Sequence, residues 1–147
     1  MKPIIYLVID NEEDKFLLSL AFAKANLRQC IRFYPDINSM LHKLYQEHSS
    51  PCRPDLVGVS YHSAVNRKSD QLTLLKKYPV WYDVPVVLFC HNMSSYLKNK
   101  LIDDGILACL DKPSLYVDYM ELAKNLITLA NPVVQLNKKY ALEIFKF

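Results

Sequence analysis

The chain has 147 residues, 51% hydrophobic and 22% charged, with a formal net charge of +3, which is the size and composition of one globular domain with a sizeable core. No run of five or more like charges occurs, which argues against a nucleic-acid arm, and no segment approaches the roughly 20 apolar residues that span a bilayer. The opening "MKPIIYLVID" has too short an apolar run, and turns acidic too soon, for a signal peptide; the expected location is cytoplasmic.

From the N-terminus, "PIIYLVI" is a continuous apolar run, the pattern of a strand buried on both faces. "EEDKFLLSLAFAKAN" follows with helical period, acidic residues in its first turn and Asn26 near its end. "QCIRFY" alternates, as an edge strand does. "DINSMLHKLYQEH" sets Ile37, Met40, Leu41, Leu44 and Tyr45 at helical spacing behind the cap Asp36. "PDLVGVS" is a third strand, and "SDQLTLLKKY" reads as a helix. "VPVVLFC" is a fourth strand, "SSYLKNKLIDDG" a helix closed by Gly105, "ILACLD" a fifth strand, and "SLYVDYMELAKNLITLA" a helix with Tyr119, Leu122, Leu126 and Leu129 along one face.

Five strand–helix units in a row predict an α/β fold, a flavodoxin-like doubly wound parallel sheet of order 2-1-3-4-5 with helices on both faces. Residues 1–131 are expected to form this domain, and 132–147 a C-terminal extension, apolar enough to dock on its own domain or on a second subunit. The switch point between the first and third strands would gather Asp10, Asn11 and Ser60 to His62, with Cys90 and Lys112 alongside.

Glycine usage excludes much chemistry. Gly58 and Gly105 are the only two, so neither a dinucleotide fingerprint nor a P-loop can be present, since both need several glycines in a short window. The four cysteines, Cys30, Cys52, Cys90 and Cys109, are widely spaced, which argues against a disulfide framework. Cys90, His91, His62 and Asp10 would meet on one rim, but without tight ligand spacing a metal centre is not expected. "GVSYH" offers Gly-x-Ser, yet His62 stands where a nucleophile elbow needs its second glycine.

The order of elements and four local motifs resemble the receiver domain of bacterial response regulators, of the chemotaxis-regulator type. "YLVIDNEED" is similar to the family's first strand with its acidic pair, and "RPDLVGVS" to the third strand, which there ends in the phospho-accepting aspartate. "VPVVLFC" matches the fourth, which usually ends in threonine or serine, and "GILACLDKPS" the fifth, with its lysine–proline pair. The likeness covers roughly residues 3–130. It implies two-component signalling, in which an aspartyl phosphate forms with the help of a divalent cation and a lysine.

The departures share one direction. Asp10 keeps the first acidic position, Asn11 replaces the second, Ser60 stands at the phospho-acceptor and Cys90 at the hydroxyl position. Cys109 occupies the position of the family's aromatic, three before the lysine; Lys112 and Pro113 are kept. One carboxylate of three remains, so Mg²⁺ binding is expected to be weak or lost, with Asp10 as its weak candidate and no other cofactor. Asp10 is then expected to pair directly with Lys112, and the resemblance implies a cis bond before Pro113.

The expected function is a stand-alone, non-enzymatic receiver-like signalling protein, a pseudo-receiver independent of phosphorylation. It would bind a protein partner (histidine kinase, output protein or a second copy) through the face between the fourth and fifth helices, with Tyr96, Tyr116 and Tyr119. No nucleic acid or membrane is expected to bind it, and no DNA-binding module is expected after the domain. Two alternatives stay open: a conventional phosphorelay receiver with a non-standard acceptor, and a small hydrolase using Ser60 and His62.

Overall fold

Strand β1 (Ile5–Val8) is buried at every position, because its two faces meet two separate cores. In a computed structural model of the protein, which describes residues 3–47, 53–61, 65–66, 69–70 and 84–131, alternate β1 side chains part to opposite sides of one sheet. Ile5, Leu7 and Ile9 pack with Leu18 and Phe22 of helix α1 (Glu12–Lys24) and with Leu122 and Leu126 of the C-terminal helix. Tyr6 and Val8 pack with Ile37, Met40 and Leu41 of helix α2 (Ile37–Glu47).

The sheet is completed by β2 (Ile31–Tyr34), β3 (Leu56–Ser60), β6 (Val86–Cys90) and β7 (Ala108–Asp111). All pairs are parallel, in the order β2-β1-β3-β6-β7. This is the 2-1-3-4-5 order expected from the sequence. Central β3 and β6 are buried throughout, whereas edge strand β2 exposes Arg32 and half-buries its neighbours. Tyr6 and Tyr34 meet edge to face across β1 and β2, with ring centroids 5.5 Å apart.

Local sequence sets the helix ends. Asn11 accepts a hydrogen bond from the Asp14 N–H at 2.9 Å and caps α1. Asn26 closes that helix at φ 58°, a conformation asparagine tolerates, while the Leu27 N–H reaches back to the Phe22 carbonyl. Asp36 caps α2 through the Ser39 N–H at 2.6 Å. Helix α3 (Ser95–Asp103) starts at Ser94, whose hydroxyl accepts from the Leu97 N–H. It ends in a Schellman turn: Gly105 has φ +116°, its N–H bonds the Ile102 carbonyl, and the Ile106 N–H bonds that of Leu101. Helix α4 (Tyr116–Leu129) buries Tyr119, Leu122, Leu126 and Leu129, the face expected from periodicity.

The segment after β3 corrects one expectation. The sequence pattern started a helix at Ser69, but β4 (Val65–Asn66) and β5 (Ser69–Asp70) pair antiparallel. Turn-forming Asn66 and Ser69 flank the reversal, and local pairing prevails over a helix start. The remainder of that expected helix lies outside the described residues, as do residues 132–147. Among the described residues, no helix is long and apolar enough to cross a membrane.

Gly58 is required by close packing rather than by its backbone. A Cβ there would come within 2.9 Å of Leu7 Cδ2 on one side and of the Phe89 ring on the other. Both neighbours are buried on adjacent strands, so neither can retreat freely. Gly58→Ala is therefore expected to destabilise the protein by about 1–3 kcal/mol, read as a lower urea midpoint with an unchanged slope.

Candidate functional site

Parallel strands bring their carboxyl ends to one edge of the sheet. There Asp10 follows β1, Ser60 ends β3, Cys90 ends β6, and Lys112 follows β7. The Lys112 N–H bonds the Cys90 carbonyl at 2.9 Å, extending the ladder by one residue and fixing where the lysine stem leaves the sheet. Ser60 is 6% exposed and Cys90 fully buried, whereas Asp10 is exposed. These strand-end positions share one edge of the sheet, but of them only Ser60 and Lys112 line the cavity there, and Cys90 lies in the core of the opposite face.

The lysine's partner differs from the expected one. Lys112 Nζ lies 2.6 Å from Oδ2 of Asp14, not beside Asp10. The other oxygen, Oδ1, accepts a 2.9 Å hydrogen bond from the Tyr119 hydroxyl. Oδ2 receives no hydrogen bond of good geometry, so its contact with Lys112 is electrostatic rather than directed. Asp14 is 9% exposed, and a carboxylate so placed needs both partners. The reason is helical period. Asp14, Leu18, Ala21 and Phe22 share the buried face of α1, while Asp10 precedes the helix at its exposed mouth. The N-terminal end of α1 also favours the negative charge.

This arrangement closes the space beside Ser60. The cavity lined by Asp14, Ser60, Phe89, Lys112, Pro113 and Tyr119 holds only about 10 Å³, room for about one water molecule. Its peptide bond to Pro113 is trans, as are all those described; the expected cis bond is not present. Tyr119 is corrected as well. Expected on a partner surface, it is 5% exposed and points inward to Asp14, while Tyr96 is 79% exposed and Tyr116 half-buried. Periodicity already put Tyr119 in line with Leu122 and Leu126, and that signal prevails.

Burial, followed by the hydrogen bond to Asp14 and the charges of Asp14 and Glu13, pushes the Tyr119 phenol up to about 12. The residues present do not fit a divalent cation of the receiver type. Asn11 spends its side-chain oxygen on the α1 cap, Asp14 is engaged by Lys112 and Tyr119, and Ser60 supplies no charge. Among the described residues, no three His, Cys, Asp or Glu side chains come together as a metal site. Cys90 is buried in the core and His91 exposed, so these two rim candidates diverge; His62 lies outside the described residues.

Two outcomes follow from the Asp14 triad. Asp14→Asn leaves the Lys112 ammonium without its counter-charge and is expected to cost about 1–3 kcal/mol. Adding Lys112→Met should recover part of that loss, which a double-mutant cycle by urea denaturation would measure. Because the folded Tyr119 phenol titrates above the roughly 10 of an unfolded tyrosine, its contribution is complete below pH ~10 and is lost as pH rises towards ~12. Alkaline melting curves should show this fall in the wild type and a smaller one in Tyr119→Phe, whose absorbance titration also lacks one late phenol.

No family model matches the chain, and no curated protein matches it in sequence. Solved structures do. A response regulator in red light signaling of R. palustris has a TM-score of 0.69 at 22% identity, covering 84% of this chain and 90% of its own. The phosphorylated cyanobacterial phytochrome response regulator RcpA gives 0.67 at 21%, over 86% and 91%. The Mn²⁺-bound response regulator Rcp1 gives 0.64 at 19%, over 84% and 91%. With the 2-1-3-4-5 parallel sheet and helices on both faces, the chain has the fold of response-regulator receiver domains.

Proposed function

We propose that the chain carries a receiver-like domain of the two-component type that signals through protein contacts, without aspartyl-phosphate chemistry and without enzymatic turnover. Residues 1–131 would be the receiver-like domain and 132–147 an extension. One observation carries this reading: the Lys112 ammonium is held 2.6 Å from Asp14, and Ser60 faces a cavity of about 10 Å³. A receiver lysine must be free to neutralise phosphate oxygens, and the acceptor must be an accessible carboxylate. Here the charge is already answered within the protein, and the acceptor position carries a buried hydroxyl. The same engagement of Asn11 and Asp14 supports loss of Mg²⁺ binding, with Asp10 left as one carboxylate at the mouth.

A partner surface has support in the exposed apolar side chains beside this edge. Tyr96 on α3, Leu115 before α4 and Val117 at its start are 79%, 63% and 65% exposed. Ser114 and Asp118, the sequence neighbours of Leu115 and Val117, line an open groove of about 340 Å³ between β7 and α4, which also carries Asp111, Glu121 and the Asp14-paired Lys112. Apolar anchors beside acidic groups suit a protein partner that presents basic residues.

Incubation with acetyl phosphate and Mg²⁺, followed by intact mass spectrometry, tests the reading. No phosphoryl adduct is expected, and Mg²⁺ should leave the melting temperature unchanged. Stoichiometric phosphate on any residue would restore the conventional phosphorelay. In parallel, the triple change of Tyr96, Leu115 and Val117 to Ser should leave stability nearly unchanged while abolishing partner capture in a pull-down; retention of the same partner by the variant removes that face from the proposal.

A further inference from the structure

The open groove between β7 and α4 combines an apolar lining with unanswered charge. Leu110, Pro113 and Leu122 supply the lining, and Asp118, Glu121 and Asn125 stand along one stripe of α4. Two of its charges are already met: Asp111 by Lys98 at 3.0 Å and Lys112 by Asp14 at 2.6 Å. Asp118 and Glu121 are exposed and have no ion-pair partner among the described residues. The groove therefore offers two carboxylates beside apolar surface to a segment that is both cationic and apolar.

The chain carries such a segment. After the cap Ala130 and the exposed Asn131, Pro132 lacks the N–H that would continue α4. Residues 132–147 hold Lys138, Lys139 and Lys146 against one acid, Glu143, with Val133, Val134 and Leu136 ahead of the lysine pair. Reach fits as well. Glu121 and Asp118 lie about 15–20 Å back along α4 from Asn131, at ~1.5 Å per helical residue. Lys138 comes seven residues after Asn131, and an extended segment of that length spans about 23 Å. A sixth strand outside β7 is the other way for the segment to return, and handedness opposes it. Helix α4 shares the face of α1, and α1 crosses from β1 to β2, away from the β7 edge. A step outward from β7 through α4 to a parallel strand would be left-handed, which such connections almost never are.

We propose that residues 132–147 turn back along α4 and dock in this groove, with Lys138 and Lys139 on Asp118 and Glu121. Tethering favours this occupant, because a linked segment meets its site at a high effective concentration. Docking follows from groove, charge and reach alone. That a basic partner would have to displace the segment is a consequence that rests on the signalling reading above.

Zero-length carbodiimide cross-linking of the full chain, with peptide mapping, tests it. Lys138 or Lys139 is expected to be joined to Asp118 or Glu121 within the monomer, at a yield unchanged by dilution. Exchanging the charges, with Lys138→Glu and Lys139→Glu on the segment and Asp118→Lys and Glu121→Lys on the helix, should restore a link between the same positions. In urea melts the full exchange should lower the midpoint by less than its two halves do together. A lysine pair joined only to carboxylates elsewhere, or to none, overturns the proposal, as do strictly additive losses. So does a link found only between two molecules and rising with concentration, which would make a second copy's segment the occupant. Purified protein suffices throughout, so phosphate on the chain or failure to capture a partner would sink the signalling reading and leave this one standing.

Discussion

At the carboxyl edge of the sheet, one carboxylate governs what the strand ends can do. Asp14 enters from the first turn of α1, takes the Lys112 ammonium on one oxygen and the Tyr119 hydroxyl on the other, and so joins α1, the end of β7 and α4 at a single point. Removing a carboxylate from water is costly unless its charge is answered. The two partners are therefore held where the carboxylate needs them, beside the small cavity that Ser60 lines. The small cavity there is the geometric consequence of that electrostatic requirement.

The sheet makes such a meeting possible. Parallel strands all present their carboxyl ends on one side, and the ladder bond from Lys112 to Cys90 sets the lysine stem relative to β6. Close approach of β1, β3 and β6 depends on Gly58, with Leu7 and Phe89 filling the space its side chain leaves. The α1–α4 packing over this face carries Tyr119 to Asp14, 105 residues away in sequence. The opposite face holds a second core, in which Cys90 and Cys109 lie among apolar neighbours. One edge of one sheet thus carries an ion pair on one side and two cysteines in the core of the other.

Structures that share this fold include one phosphorylated and one Mn²⁺-bound response regulator. This chain is 19–21% identical to them, and the likeness is one of fold. A buried framework tolerates exchange among hydrophobic residues of similar size, whereas a phosphate site needs particular charges at particular points. Fold and site chemistry can therefore part company.

The alternation of apolar strands with 3.6-period helices was enough to determine strand order, the two-sided burial of β1, the caps Asp36, Asn26 and Gly105, and which residues end each strand. These depend on patterns local in sequence and on the handedness of parallel crossovers. The partner of Lys112 was not determined in that way. Asp10 and Asp14 are both acidic and four residues apart, and only the turn of α1 sends one outward and the other into the core. Its inward face was legible in the spacing Asp14, Leu18, Ala21, Phe22, but the meeting with Lys112 and Tyr119 requires three elements to pack together. The same holds for Cys90 and Cys109: each was legible as a buried or half-buried strand residue, and only the register of β6 against β7 makes them neighbours, because contact between distant segments is decided by packing rather than by local pattern.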